Sequence, residues 1–173
     1  MQVLTKAEAM EWLPRSGSEF DLRGDLAFRN GKNHVIAVPL PDKAHQLPYL
    51  ANLLVTGSYD SPFVESLLLF TDWGAGGDVS NRVGFKLLQS MHADPQPLIE
   101  APARLFGPNE RIEAQSLLTL AILMGWDAYF IPITGNYFIF NSNDEFTDVV
   151  SNDDETHQRF LAALQDDWDG KEW

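Results

Sequence analysis

The chain has 173 residues, no cysteine and a net charge of −13, and 45% of it is hydrophobic. That apolar content is enough for a real core and excludes wholesale disorder. The acidic balance, with a pI near 4.5, argues against nucleic acid and anionic membrane surfaces as partners, and the lack of cysteine excludes disulfides, thiolate metal sites and thiol nucleophiles.

Thr5 followed by Glu8 is a capping box, so a first helix starts there, with Ala7, Met10 and Leu13 as its inner stripe and Pro14 as its end. From Phe20 to Phe28 apolar and polar residues alternate, which predicts a strand with one wet face. Asn30-Gly31-Lys32 then reads as a hairpin loop with Gly31 at positive φ, leading into a second strand from Asn33 to Leu40. In that register Leu26 faces Ile36 and Leu22 faces Leu40. A helix follows, with Pro48 in its first turn, Leu50, Ala51 and Leu54 inward, and Gly57 closing it.

Ser66 to Thr71 is a nearly unbroken apolar run, the pattern of a central strand buried on both faces. The link from the strand ending at Leu40 through a helix to this run suggests a βαβ crossover. Ser80 or Asp78 caps a further helix with Val83, Leu87, Leu88 and Met91 inside, and 94–102 is proline-rich and irregular. Pro108-Asn109-Glu110 opens a helix whose second half, Leu117 to Met124, is apolar nearly all round. It is expected to be the most buried helix, with Gly125 as its cap. Asp127–Ile133 and Tyr137–Phe140 read as strands joined by the turn Thr134-Gly135-Asn136, and Phe146–Val150 as a short strand. Asp153 and Asp154 begin a last helix with Phe160, Leu161 and Leu164 inward, and the tail 166–173 is expected to fray.

The expected fold is therefore α+β: a single domain over 1–173, with one mixed β-sheet, an N-terminal antiparallel hairpin, the crossover, and helices packed on the sheet. The first residues, Met1 to Lys6, lack the apolar core of a signal peptide, and Leu117 to Trp126 is too short to span a bilayer. A soluble, cytoplasmic protein is expected, with no membrane partner.

The strongest candidate for a ligand site is the loop from Asp72 to Arg82. It leaves the central strand and enters a helix, a place where α/β proteins bind ligands. Gly74, Gly76 and Gly77 permit close backbone approach, Trp73 can form a wall, and Arg82 can grip an anion. The loop is no dinucleotide fingerprint, because Val79 stands at the third glycine position, and no P-loop, because no Gly-Lys-Ser/Thr follows. Asp72 and Asp78 could act as acid and base or hold a hard cation, yet both would repel a phosphate. The same segment also reads as a plain strand-to-helix connection.

His34, His45, His92 and His157 lack metal-ligand spacing, so no metal and no cofactor are expected, and no Gly-x-Ser-x-Gly elbow occurs. The aromatic run Trp126, Tyr129, Phe130, Tyr137, Phe138 and Phe140 straddles a hairpin that is either buried on both faces or presents one to a partner. Charge is concentrated at the end: ten acids against Arg159 and Lys171 follow Ser142, giving −8 there and −5 before it. With no catalytic motif, the leading expectation is a non-catalytic interaction domain of the accessory, inhibitor or immunity type. Asp153, Asp154 and Glu155 would then meet a basic protein partner. The alternative is a small-ligand-binding or hydrolytic domain using the Asp72–Arg82 loop.

Overall fold

The computed structural model of the chain describes residues 1–21, 24–31, 33–38, 40–41, 43–57, 62–72, 102–142 and 146–168. The N-terminal part contains β1 (Gln2–Leu4), α1 (Lys6–Trp12), a 3-10 turn (Leu13–Ser16), β2 (Ser18–Phe20), β3 (Leu26–Phe28), β4 (His34–Val38) and α2 (Leu47–Thr56). After these come β5 (Ser66–Asp72), β6 (Ala103–Phe106), α3 (Arg111–Met124), β7 (Asp127–Pro132), β8 (Tyr137–Asn141), β9 (Thr147–Ser151) and α4 (Asp154–Trp168). The fold is α+β. A seven-stranded sheet in the order β1-β6-β5-β7-β8-β9-β4 is accompanied by a separate two-stranded sheet of β2 and β3.

β5 is the hub. Leu67, Leu68, Leu69 and Phe70 are each at most 2% exposed, as a run with no polar face requires. Their side chains alternate between two cores. Leu68 and Phe70 meet α2, α3 and α4 through Leu50, Leu54, Leu117, Leu118 and Phe160. Leu67 and Leu69 meet Ala9, Trp12 and Leu13 near α1, and Leu26 and Phe28 of β3. The sheet is thus the middle of three layers.

Every described pairing is antiparallel. The crossover from β4 through α2 to β5 does join strands that run the same way, but β7, β8 and β9 lie between them. The N-terminal hairpin is also real but made of different strands. Ser18 pairs with Phe28 and Phe20 with Leu26, so the stretch expected to be one strand folds back on itself. Asp21 is the cause: its Oδ1 accepts from the Asp25 backbone N–H at 3.0 Å, and its own N–H donates to the Asp25 carbonyl at 2.8 Å. Leu26 therefore does not face Ile36. Ile36 pairs with Val149 of β9 instead. Gly31 keeps its positive φ of 70°, but its turn leads from the small sheet into the large one. Leu22 and Lys32 lie outside the described residues.

Thr5 caps α1 as expected. Its Oγ1 accepts from the Glu8 N–H, and its N–H donates to the Glu8 carboxylate at 2.7 Å. The buried stripe keeps Leu13 and, in part, Met10, but Ala9 and Trp12 face inward and Ala7 is exposed. Trp12 explains the rotation, since its indole Nε1 donates to Glu65 Oε1 at 3.0 Å, beside an Arg15–Glu65 ion pair at 2.9 Å. α2 matches its reading, with Pro48 in the first turn and Gly57 as a left-handed cap. α3 is the second correction. It buries Leu117, Leu118, Ala121 and Ile122, but Leu123 is 56% and Ile112 69% exposed, so α2 is the better buried helix.

The turn between β7 and β8 joins the two halves of the chain. Gly135 has φ +66°, and a Cβ on it would fall inside the Ser16 carbonyl group, 2.8 Å from its carbon. Gly135→Ala is therefore expected to cost about 3–5 kcal/mol, combining left-handed strain with overpacking against backbone. Gly31 has open space around it, so Gly31→Ala should cost only about 1–2 kcal/mol of backbone strain. Urea unfolding of the two variants checks this, and equal losses would show that the Ser16 contact is not made.

Candidate functional site

At the carboxyl end of β5 lies a cavity of about 670 Å³, within the range typical of small-molecule sites. Four separate parts of the chain build its described lining. Lys6 and Met10 come from α1, four residues apart and so on one face of the helix. Phe20 and Gly24 come from the β2–β3 hairpin and its turn, while Leu69, Phe70 and Thr71 of β5 and Pro102 before β6 form the floor. The capping box fixes where α1 starts and hence where Lys6 stands. The Asp21–Asp25 turn fixes Gly24, whose N–H donates to the Asp21 carbonyl at 3.1 Å. Phe20 is held edge-on against Tyr129, ring centroids 5.7 Å apart, and the Phe70 N–H ties β5 to the Pro102 carbonyl at 3.0 Å.

The lining is mostly apolar, with one ammonium and one hydroxyl among its described side chains. Tyr129, against which Phe20 packs, has carboxylates near it. Burial holds the Tyr129 phenol above its usual range, a hydrogen bond with the Leu26 backbone opposes that shift, and the charges of Asp25, Asp127 and Asp21 add to it. Asp72, the last residue of β5, is exposed and lies opposite Asp127 across a bulge that follows Phe70.

The expected loop site therefore meets the structure at one residue. Asp72 adjoins the cavity without entering its described lining. Trp73, Gly74, Gly76, Gly77, Asp78 and Arg82 lie outside the described residues, as do the helix expected after them and His92. The rule that placed a ligand there applies to parallel sheets. Here both neighbours of β5 are antiparallel, and the cavity arises instead from the gap between α1 and the small hairpin. Lys6, Met10 and Phe20 had no signal as site residues, because a cavity wall built from distant segments has no local sequence pattern.

The acidic triple divides. Asp153 caps α4, its Oδ1 accepting from the Thr156 N–H at 2.7 Å. The Asp154 side chain is 90% exposed, with Oδ1 3.5 Å from His34 Nε2, and Glu155 is exposed. The aromatic hairpin is buried on both faces: Trp126, Phe130 and Tyr137 pack under the helices, Tyr129 and Phe138 under α1 and β3. Among the described residues no group of three His, Asp or Glu is arranged to hold a metal ion, and no helix is long and apolar enough to cross a membrane. No protein-family model, curated protein or solved structure matches the chain.

Because Asp153 is committed to the cap and Asp154 is not, their alanine variants should separate. Asp153→Ala is expected to lower stability by about 1 kcal/mol and Asp154→Ala by no more than about 0.5 kcal/mol. Chemical denaturation measures both, and equal losses would mean that the cap is not formed.

Proposed function

We propose that this protein is a small-ligand-binding domain whose site is the cavity at the carboxyl end of β5. The observation that carries the reading is the cavity itself, about 670 Å³ and walled mainly by Met10, Phe20, Leu69 and Pro102. Apolar walls with a few polar points are what hold a small organic molecule. Lys6 and Thr71 are those points here. Both can bind and orient a polar group of the guest. The guest is a small, mainly apolar molecule with one acceptor for the Lys6 ammonium.

The exposed acids at the start of α4 support a second reading, electrostatic contact with a basic protein through Asp154 and Glu155. Asp153 is a weaker member of that surface, since its carboxylate is already engaged. The charge of −13 supports, for either reading, a cytoplasmic protein that avoids nucleic acid.

The cavity is tested by titrating indole, a neutral aromatic probe, and following the NMR signals of the Met10 methyl and the Gly24 amide. Saturable shifts at both are expected, and Met10→Trp should weaken binding read at Gly24 several-fold by narrowing the space. Lys6→Gln should leave indole binding in place while weakening an indole carboxylic acid several-fold. Affinity at Gly24 left unchanged by Met10→Trp in a folded protein, or shifts that never appear at Gly24, would remove the cavity as the site.

A further inference from the structure

Among the described residues, none covers the sheet face opposite α2, α3 and α4 to its end. α1 and the β2–β3 hairpin lie over β5, β7 and β8, with Phe28 against Phe138 and Phe20 against Tyr129. From beneath them two rows of side chains run out to β4, Phe138 and Val150 still lying under the cover. One row is Phe138, Val150 and Val35, and the other is Phe140, Asp148 and Ala37. Val35 is 56% exposed and Phe146, whose ring leans on Phe140 at 5.8 Å, is 40% exposed. Asp148 places a lone carboxylate in the second row, between Phe140 and Ala37. Among the described residues β4 pairs on one side only, with β9.

We propose that this patch docks a partner protein through an apolar segment carrying one lysine or arginine, seated on Asp148. The occupant follows from the charge at the centre. Burial already holds the Asp148 carboxyl above the usual range. A purely apolar partner would deepen that cost by leaving the charge unpaired, and a cationic head on an apolar stem would relieve it. A second copy of this chain fits badly. A two-fold contact sets the same patch against itself, bringing two Asp148 carboxylates into one apolar interface between chains that each carry −13. The patch is distinct from the cavity at β5. It is distinct also from the acidic start of α4, because His34, which faces Asp154, lies on the opposite face of β4 from Val35.

The test uses a short peptide of alternating threonine and valine with one central lysine, and the same peptide with glutamine in that place. Amide shifts should be confined to β4, β9 and Phe146. The lysine peptide should bind about tenfold more tightly than the glutamine peptide, and Asp148→Asn should erase that difference. Val35→Lys, at an exposed position, should abolish binding of both peptides while leaving the indole shifts in the cavity intact. The proposal is overturned if the two peptides bind alike to the unaltered protein. It is overturned too if Asp154→Asn with Glu155→Gln weakens the lysine peptide as much as Asp148→Asn does, since net charge would then explain the binding. Self-association that Val35→Lys removes would assign the patch to a second copy and overturn it equally.

Discussion

Four consecutive residues of β5, Leu67 to Phe70, have no wet side. A strand of that kind cannot stand in a two-layer protein with one solvated sheet face. Each side needs its own apolar cover, and the chain supplies two unlike covers. One is thick, formed by α2, α3 and α4, and it reaches all the way to β9 and β4 through Val149, Ile36 and Val38. The other is thin, formed by the short α1, the 3-10 turn and the two-stranded hairpin, and it reaches no farther than Val150 of β9. Both the cavity and the exposed patch are consequences of that thinness. The cavity opens where α1 and the hairpin do not close on each other, and the patch begins where their cover ends.

Much of the frame was legible because it is local. The dry run of β5, the placing of Pro48, the Thr5–Glu8 box, the Gly57 and Gly125 caps and the β7–β8 turn each follow from side chains within a few residues. What was misread depended on choices that local pattern does not make. Alternation from Phe20 to Phe28 fits one long strand as well as two short ones. The Asp21 side chain decides between them by capturing the Asp25 N–H. The apolar girth of α3 suggested burial all round, yet a helix at the surface of a layer leaves a face outside whatever its composition, and Leu123 occupies that face. β1 is three residues long and exists through pairing with β6, so nothing near it in sequence announces it. Of the candidate loop only Asp72 falls among the described residues, and it is not in the described lining of the cavity, whereas Lys6, Met10 and Phe20 became a wall only through tertiary packing.

The two ends of the sheet differ in kind. At the end away from the cavity, the loops are laced by polar contacts. Asn152 donates through Nδ2 to the Gly135 carbonyl at 2.7 Å and through its backbone to the Asn136 carbonyl at 3.1 Å, and Asn136 Nδ2 reaches Thr156 Oγ1 at 3.1 Å. Gly135 presses against Ser16, so this lacing includes the N-terminal layer. The opposite end, at Thr71, Asp72 and Asp127, carries exposed or half-exposed groups on β5 and β7 with like charges opposite each other. Like charges in register weaken a strand pair, so the described sheet is held firmly at one end and less so at the end where the cavity lies.

The pairings of β1 and β4 also set a timetable for the chain during synthesis. Gln2 lies opposite Leu105 and His34 opposite Ser151, so each strand waits for a partner made roughly 100 residues later, on the order of 5–20 seconds at ordinary translation rates. Until then β4 has neither β9 beside it nor α4 over Ile36 and Val38, and its apolar residues stand in water. The β2–β3 hairpin, closed by Asp21 within its own turn, can form from neighbours alone. The described segment before β5 therefore emerges with a small hairpin between unpartnered strands, and β9 and α4, made later, complete the large sheet around β4.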